Sequence, residues 1–249
     1  MFYIIPIRKE QYINNLKIAF PNEEGTWYNS LAKRGYKFFM EQFIQLFAMP
    51  KSINVKKIKI IGQELLESTF KKNKGIIFVS GHIGAWEVLS YWVSTNNYPT
   101  TLVAAKQKNR GSDKFFIELR GKFGMKHIYR RSPIDDMYDI LNNNGALALA
   151  SDQDARKRGV FVNFFNKKAS TPTGAARFYL NNDSPILFAI CYKTKKNDYV
   201  IEFKSVKTNQ KSTIESITQS YTSILEEYIR NYPEQYFWFH RRWKTQPSN

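Results

Sequence analysis

The sequence predicts an α/β fold: one domain over residues 1–249, with a mostly parallel central sheet flanked by helices and an N-terminal helical segment over residues 1–50. Three observations lead to this prediction. From residue 57 onward, short apolar and β-branched runs alternate with helical stretches, which is typical of a parallel sheet covered on both faces. A length of 249 residues fits one large α/β domain. No internal repeat, low-complexity tract or linker divides the chain.

The N-terminal segment contains two predicted helices. Residues 11–20 form a short helix that Pro21 ends, and residues 26–49 form a long helix that Pro50 ends. In the long helix, apolar residues recur at three- and four-residue spacing with basic residues between them. Two interpretations stay open: the helix packs on the core, or its Phe and Met side chains rest in a membrane interface beside its Lys and Arg.

The rest of the chain alternates between the two kinds of element. The predicted strands are residues 58–61, 75–80, 101–105, 146–150, 160–165, 185–192 and 199–203. The predicted helices are residues 63–70, 85–95, 113–123, 134–141, 173–181 and 212–231. Ligands of open parallel sheets bind beyond the carboxyl ends of the strands, so functional residues are expected in the loops that follow the strands.

Composition and charge narrow the class of protein. The chain has 43% hydrophobic and 16% aromatic residues, which excludes a disordered protein. Its 38 Lys and Arg outnumber its 21 Asp and Glu and give a net charge of +17. That charge predicts a polyanionic partner: nucleic acid, an anionic membrane surface or a phosphorylated substrate.

The apolar runs and the cysteine content exclude further classes of protein. The longest apolar runs, residues 75–80 and 185–192, are shorter than the roughly 20 residues that span a bilayer. The first residues lack a basic region and are interrupted by Pro6, so no signal peptide is expected. Cys191 is the single cysteine, so the chain has no intramolecular disulfide; this thiol and His127, both in strand-like surroundings, are expected to be structural.

The strongest candidate for chemistry is the segment 80–87, which follows the apolar strand 75–80 and opens a helix. Gly81 and Gly84 permit a sharp turn there, and with His82 in that turn Glu87 can reach back to a ring nitrogen. Such a carboxylate fixes the imidazole tautomer and stabilises the imidazolium during proton abstraction. The adjacent helix N-terminus is expected to keep His82 neutral. The alternative is a helix-capping His with a surface Glu.

These residues resemble the H-x4-D/E motif of glycerolipid-type acyltransferases, and in particular the late acyltransferases of bacterial lipid A biosynthesis. Further segments resemble that family in the same order: residues 106–110, 116–124, 151–154 with 159–165, 171–177 and 233–244. The resemblance covers roughly residues 10–247. It implies transfer of a fatty acyl group from acyl carrier protein, or another acyl thioester, to a hydroxyl of a phosphorylated lipid acceptor such as a lipid A precursor.

The resemblance also implies roles for individual residues. His82 is expected to be the general base and Glu87 its orienter. Arg120 is expected to support the active site or bind the acceptor phosphate, and Asp152 and Gln153 to line the site. The further candidates for binding the acceptor or the acidic carrier protein are Lys106, Arg177, Arg241 and Arg242. The oxyanion donor is either Arg120 or the backbone of residues 82–84. No cofactor or metal is expected.

The resemblance places the protein at the cytoplasmic face of the inner membrane as a peripheral protein. The family normally carries an N-terminal hydrophobic anchor, and this sequence has only the short apolar run 2–7 there. The anchor is expected to be absent, truncated or replaced by the helix at residues 26–49. Scattered Lys residues would then face the anionic membrane.

Two other classes of function are weaker. A nucleic-acid-binding protein would account for the charge and the aromatic residues, but the order of the motifs argues against a nucleic-acid partner. A metal-dependent hydrolase with His82, Glu87, Asp152 and Asp154 as ligands is disfavoured because the chain has only three histidines and no dense ligand motif.

Overall fold

The structure is a computed structural model that describes residues 7–49 and 51–247. Its helices are α1 (Lys9–Ala19), α2 (Gly25–Ala48), α3 (Gln63–Phe70), α4 (Trp86–Thr95), α5 (Arg110–Gly121), α6 (Ile134–Asn142), α7 (Gly174–Asn182) and α8 (Ile214–Asn231). Its strands are β1 (Lys59–Ile61), β2 (Ile76–Ser80), β3 (Thr100–Ala104), β4 (Lys126–Tyr129), β5 (Ala146–Ala150), β6 (Val160–Phe164), β7 (Lys167–Thr171), β8 (Ile186–Lys193) and β9 (Tyr199–Ser205).

The predicted α/β fold is confirmed. Seven strands form one sheet in the order β1-β9-β8-β2-β5-β3-β4. Strands β8, β2, β5, β3 and β4 are parallel to one another, whereas β9 is antiparallel to β8 and parallel to β1. Because β2 and β5 lie side by side in the middle of the sheet, the loops after these two strands meet at its carboxyl edge.

The two faces of the sheet carry separate cores because side chains alternate along each strand. In β2, Ile77 and Val79 pack into a core that also takes the buried faces of α1, α2, α6, α7 and α8. Ile76 and Phe78 face the opposite core, which is covered by α3, α4 and the end of α2. Strands that are covered on both faces therefore consist of consecutive apolar residues, and such runs could be recognised in the sequence.

Two strands were not predicted. Strand β4 lies at the edge of the sheet, and its mostly half-buried side chains give no apolar run. Strand β7 pairs with β6 through a two-residue turn in which Phe165 and Asn166 both have positive φ, of 53° and 56°. A bulky residue rarely adopts that conformation. Here the buried Phe165 ring packs on Trp238, and its N–H donates to Glu226.

The N-terminal helices were predicted within a few residues. The first half of α2 packs into the core through Tyr28, Leu31 and Tyr36, as one of the two interpretations proposed. Its last turns leave Phe43, Ile44 and Phe47 exposed. Pro50, expected to end this helix, and the first six residues of the chain lie outside the described residues. Within the described part, every helix is too short or too polar to cross a bilayer.

Candidate active site

The register of the two central strands brings His82 and Asp152 together. Ser80 and Ala150 are the last paired residues of β2 and β5, and His82 and Asp152 each follow two positions later. The Ser151 N–H donates to the Ser80 carbonyl at 2.8 Å and continues the pairing past the strand ends. The two side chains therefore meet although they lie 70 residues apart in the sequence.

The turn that carries His82 needs glycine at Gly84. This residue has φ +66°, and a Cβ there would lie 2.0 Å from the Cys191 carbonyl oxygen of β8. The Gly84 N–H donates to the Gln235 carbonyl at 2.8 Å, and the Ala85 N–H donates to the Cys191 carbonyl at 2.7 Å. The turn is thus fixed against both β8 and the C-terminal part of the chain before α4 begins.

Asp152 holds His82 at two points. Its Oδ1 lies 2.7 Å from His82 Nδ1, and its Oδ2 accepts the His82 backbone N–H at 2.9 Å. Asp152 is buried, whereas 31% of the His82 side chain is exposed. A proton on Nδ1 donated to the carboxylate leaves Nε2 as the nitrogen that can accept a proton. This is the arrangement of a general base with its orienting acid.

Two opposing effects set the pKa of His82. Burial lowers it, but the charge and hydrogen bond of Asp152 and the charge of Glu87 together raise it above its ordinary value of 6.5. The carboxylates thus favour the protonated form of His82, which is opposite to the effect expected of the helix N-terminus. The pKa of Asp152 is shifted the other way: burial raises it, but His82 and Arg242 bring it below its ordinary value.

The predicted contact between Glu87 and His82 is wrong. Glu87, in the first turn of α4, instead binds Arg120 of α5 through both carboxylate oxygens, at 2.5 Å to Nη2 and 3.2 Å to Nε. Its Oε1 also accepts the Trp86 indole N–H at 3.3 Å. The guanidinium fork matches a carboxylate better than one imidazole nitrogen does, and Asp152 already occupies Nδ1. Glu87 acts on His82 through its charge.

A cavity of about 410 Å³ opens beside these two pairs. It lies on the face of the sheet beneath α4 and α5. Small side chains from neighbouring strands leave the space: Ser80, Ala104, Ala148, Ala150 and Ala189. Its apolar walls include Phe78, Leu89, Val93, Leu102, Phe116 and Phe203. His82, Glu87, Arg120 and Gln153 line it as well, so an apolar slot and the paired polar groups share one space.

The remaining predicted site residues are divided between the cavity and the surface. Gln153 lines the cavity, whereas the buried Asp152 is not among the lining residues. Lys106 is exposed, with its ammonium 5.7 Å from the centre of the Tyr129 ring. Arg177 is exposed and bonds to Thr173 at 3.0 Å, and Arg241 is also exposed. None of these three side chains is among the described residues that line the cavity.

Arg242 is not available to an acceptor phosphate, contrary to the prediction. It is buried, and it donates to the Ser170 carbonyl at 2.7 Å and to Thr171 Oγ1 at 2.5 Å, both on β7. Its guanidinium also lies over the Phe164 ring. The charge of Arg242 therefore acts inside the protein.

Sequence reasoning placed Asp152 in the site but missed its contact with His82. The signal was that segments 80–87 and 151–154 each follow a predicted strand; the missing fact was that these strands are neighbours. It also missed Asp113, which accepts the Tyr129 hydroxyl at 2.6 Å and the Gln107 N–H at 2.7 Å at the cavity wall. For metals, residues 7–49 and 51–247 contain no group of three His, Cys, Asp or Glu side chains suited to an ion.

Comparison with known proteins assigns the family. The family model for bacterial lipid A biosynthesis acyltransferases matches residues 1–245. The chain is 21% identical to a phosphatidylinositol mannoside acyltransferase of Mycolicibacterium smegmatis over 84% of this chain and 69% of the relative. It is 24% identical to the lipid A biosynthesis palmitoleoyltransferase of Escherichia coli over 94% of this chain and 78% of the relative. The chain belongs to the bacterial lipid A biosynthesis acyltransferase family and is an acyltransferase.

Proposed function

We propose that this enzyme transfers a fatty acyl group from an acyl thioester, with acyl carrier protein as the donor, to a hydroxyl of a phosphorylated glycolipid. The observation that carries the proposal is the His82–Asp152 pair at an apolar slot. A base alone would suit many reactions. A base beside a mostly apolar cavity suits a reaction whose substrate is a hydrocarbon chain with a reactive carbonyl at its end.

In the proposed reaction, His82 Nε2 removes the proton from the acceptor hydroxyl as its oxygen attacks the thioester carbonyl. Asp152 stabilises the imidazolium that forms. The tetrahedral intermediate then collapses, the carbon–sulfur bond breaks, and the imidazolium gives its proton to the departing thiolate. The products are an ester and a free thiol, and no covalent enzyme intermediate is needed.

Arg120 is the better of the two candidates for the oxyanion donor. The backbone N–H groups of His82 and Gly84 are already bonded, to Asp152 and to the Gln235 carbonyl, so Ile83 supplies the one N–H of this turn that could still compete with Arg120. Glu87 holds Arg120 by Nε and Nη2, so Nη1 is left to face a developing negative charge. Glu87 thus positions Arg120, and the His-x4-Glu motif supplies two separate pairs.

The acyl chain is proposed to lie along the slot on the sheet face. The alanines of β3, β5 and β8 leave room for the chain, and Phe78 and Phe203 close the inner walls. A linear hydrocarbon in this slot would replace water with apolar contacts, worth about 0.8 kcal/mol per buried methylene. The thioester carbonyl would then lie by His82 and Arg120.

A glycolipid acceptor is supported by charge and by the relatives. The net charge of +17 favours an anionic acceptor. The relatives are named for phosphatidylinositol mannoside and for lipid A biosynthesis. Arg120 is the one predicted phosphate ligand that lines the cavity, so it is proposed to serve the acceptor or the oxyanion; Lys106, Arg177 and Arg241 are proposed to meet the carrier protein or lipid headgroups at the surface.

Peripheral membrane binding, at the cytoplasmic face of the inner membrane, completes the proposal. Phe43, Ile44, Phe47 and Phe115, each 41–61% exposed, form what we call the aromatic patch. The Phe47 ring contacts Phe43 at 4.9 Å and Phe115 at 5.6 Å, which joins α2 to α5. Phe115 contacts Phe116, which lines the cavity. The aromatic patch therefore adjoins the slot, so a lipid could pass from the membrane to His82.

The test of this function is acyl transfer from acyl carrier protein to a phosphorylated glycolipid by the purified enzyme. We expect His82→Ala to lower the rate by about 10²–10⁴-fold, the usual contribution of a general base. An unchanged melting temperature would show that the variant is folded. Equal rates for the wild type and His82→Ala would overturn the proposal.

A further inference from the structure

The last part of the chain pairs with the turn that carries His82. We define the C-terminal segment as residues 235–243. The Phe237 N–H donates to the His82 carbonyl at 2.9 Å. Next to this bond, Ile83 and Tyr236 form an antiparallel bridge. His82 and Phe237 therefore stand opposite each other, and opposed residues of an antiparallel pair place their side chains on the same face.

Aromatic rings from two elements contact the His82 imidazole. The Phe237 ring centre lies 6.1 Å from the imidazole centre, with 43° between the two planes. The Trp86 ring, at the start of α4, lies 5.6 Å from the imidazole at an angle of 73°. Trp86 also lines the cavity, whereas Phe237 is not among the described residues that do. Phe237 therefore contacts the base without lining the proposed acyl slot.

A third ring joins these two. Between ring centres, Phe39 of α2 lies 5.4 Å from Phe237 and 5.9 Å from Trp86. We call Phe39, Trp86 and Phe237 the His82 ring cluster. Its members come from α2, α4 and the C-terminal segment, and two of them contact the imidazole. The ring of Phe237 is thus held by α2 as well as by its own backbone.

The C-terminal segment is anchored away from the site as well. The Asn15 side chain of α1 donates to the carbonyls of Trp238 and His240, at 2.7 and 2.6 Å. The Gln235 side chain bonds both the N–H and the carbonyl of Lys193, at the end of β8. These contacts leave the segment little freedom, so it can fix a neighbouring side chain in position.

We propose that Phe237 is a positioning residue for the reaction: its ring packs on the His82 imidazole and holds it in the rotamer in which Nδ1 meets Asp152 and Nε2 stays open to the acceptor hydroxyl. This inference rests on the proposed role of His82 as the base. It gives the C-terminal segment a part in catalysis that the His-x4-Glu motif does not contain.

The physical reason is that one hydrogen bond leaves the imidazole free to turn. The outer side-chain torsion of histidine has broad minima, so the 2.7 Å contact between Nδ1 and Asp152 does not by itself fix the plane of the ring. Packed rings restrict this torsion, because the imidazole cannot turn without losing contact with them. Proton transfer depends on that plane, and a misplacement of about 1 Å can lower a rate by about 10²-fold.

The experiment compares Phe237→Leu, which removes the ring, with Phe237→Tyr, which keeps it, in acyl transfer from acyl carrier protein. We expect Phe237→Leu to lower kcat by about tenfold, part of the loss that misplacement of a catalytic group causes, and to leave KM for the thioester unchanged. Phe237→Tyr should restore most of kcat. The matched control is Phe178→Leu, another phenylalanine of the same core, on α7. It should keep the wild-type kcat at equal folded fraction, measured by circular dichroism.

A double variant shows whether Phe237 acts through His82. In a His82→Ala background the ring has no imidazole to hold, so adding Phe237→Leu should leave the residual rate unchanged. The same loss in both backgrounds would overturn the inference and assign the ring a purely structural role. A rise in KM with an unchanged kcat would overturn it as well. A fully active His82→Ala enzyme would instead overturn the proposed function, so the two failures are distinguishable.

The last comparison concerns Phe39, the ring of the cluster that supports the other two. Among the described ring contacts, Phe39 meets Phe237 and Trp86 but not His82. Phe39→Leu should therefore lower kcat by less than Phe237→Leu, and it should have a smaller effect in the Phe237→Leu background than in the wild type. A Phe237→Tyr enzyme as slow as Phe237→Leu would contradict the role given to the ring.

Discussion

Two pairs of side chains lie beside one cavity and differ in how they are held: His82 with Asp152, and Glu87 with Arg120. The His82–Asp152 pair joins two loops that continue adjacent strands, and its carboxylate is buried. The Glu87–Arg120 pair joins two helices, and both side chains are only partly buried. The first pair has the fixed geometry that proton transfer needs, and the second presents a cation to the cavity. His82 and Glu87 are therefore close in the sequence motif but bind different partners in the fold, Asp152 and Arg120.

The largest effect on activity is expected from Asp152→Asn, which changes the His82–Asp152 pair and leaves the Glu87–Arg120 pair intact. An asparagine amide cannot accept the Nδ1 proton as a carboxylate does, so it favours the wrong tautomer of His82. We expect kcat/KM to fall by about 10³-fold. We also expect the acid limb of the pH profile, the range in which kcat/KM falls as His82 becomes protonated, to move to lower pH, because the charge that raises the pKa of His82 is lost. The measurement is a pH profile of acyl transfer, with the melting temperature as the control for folding.

We expect Arg120→Ala to lower kcat/KM by about 10²-fold, since the removal of one hydrogen-bond donor to an oxyanion usually slows the reaction by that factor. The Arg120→Lys variant keeps the charge but loses the fork, so its rate should fall between those of wild type and Arg120→Ala. In both variants the acid limb should stay close to its wild-type position. A shift as large as that of Asp152→Asn would contradict the separation of the two pairs.

Glu87→Gln should have a smaller effect, about tenfold in kcat/KM. The amide still bonds Arg120 but no longer carries the charge that helps to raise the pKa of His82. The acid limb should therefore move slightly to lower pH, and by less than in Asp152→Asn. The two variants are compared in the same buffers, because the order of the two shifts is the result that matters.

Substitutions in the aromatic patch are expected to have the smallest effect on the rate of acyl transfer itself. The double variant Phe47→Ser and Phe115→Ser should weaken binding to anionic vesicles by about tenfold or more, because each ring loses apolar contact with lipid. Its rate on a detergent-solubilised acceptor should not change. Leu180→Ser, on α7, is the matched control, because Leu180 is 44% exposed but lies outside the patch. Equal vesicle binding by both proteins would remove the aromatic patch as a membrane contact.

Most of the fold could be predicted because its strands are buried on both faces. Strands such as β2 and β8 are runs of apolar residues, and helices with one buried face show their period in the sequence. Strands β4 and β7 lack such a run: β4 lies at an edge, and β7 begins with two exposed lysines after a glycine-free turn. Those strands depend on pairing that local sequence does not record.

The site could be predicted in part for the same reason. The strand ends and the ordered motifs pointed to His82, Arg120 and Gln153, which line one cavity, and to Asp152, which is bonded to His82. The partner of His82 did not, because the sequence does not say that β2 and β5 are neighbours when β3 and β4 lie between them in the chain. Lys106, Arg177 and Arg241 were chosen largely by charge, and exposed charges are the common outcome for Lys and Arg.

The central claim, that Asp152 and not Glu87 is the partner of His82, is tested most directly by measuring the pKa of His82 by nuclear magnetic resonance. The chain has three histidines, so assignment by single substitution is practical. We expect a pKa above 6.5 for His82 in the wild type, a large decrease of that pKa in Asp152→Asn and a small decrease in Glu87→Gln. A larger decrease in Glu87→Gln than in Asp152→Asn would contradict it.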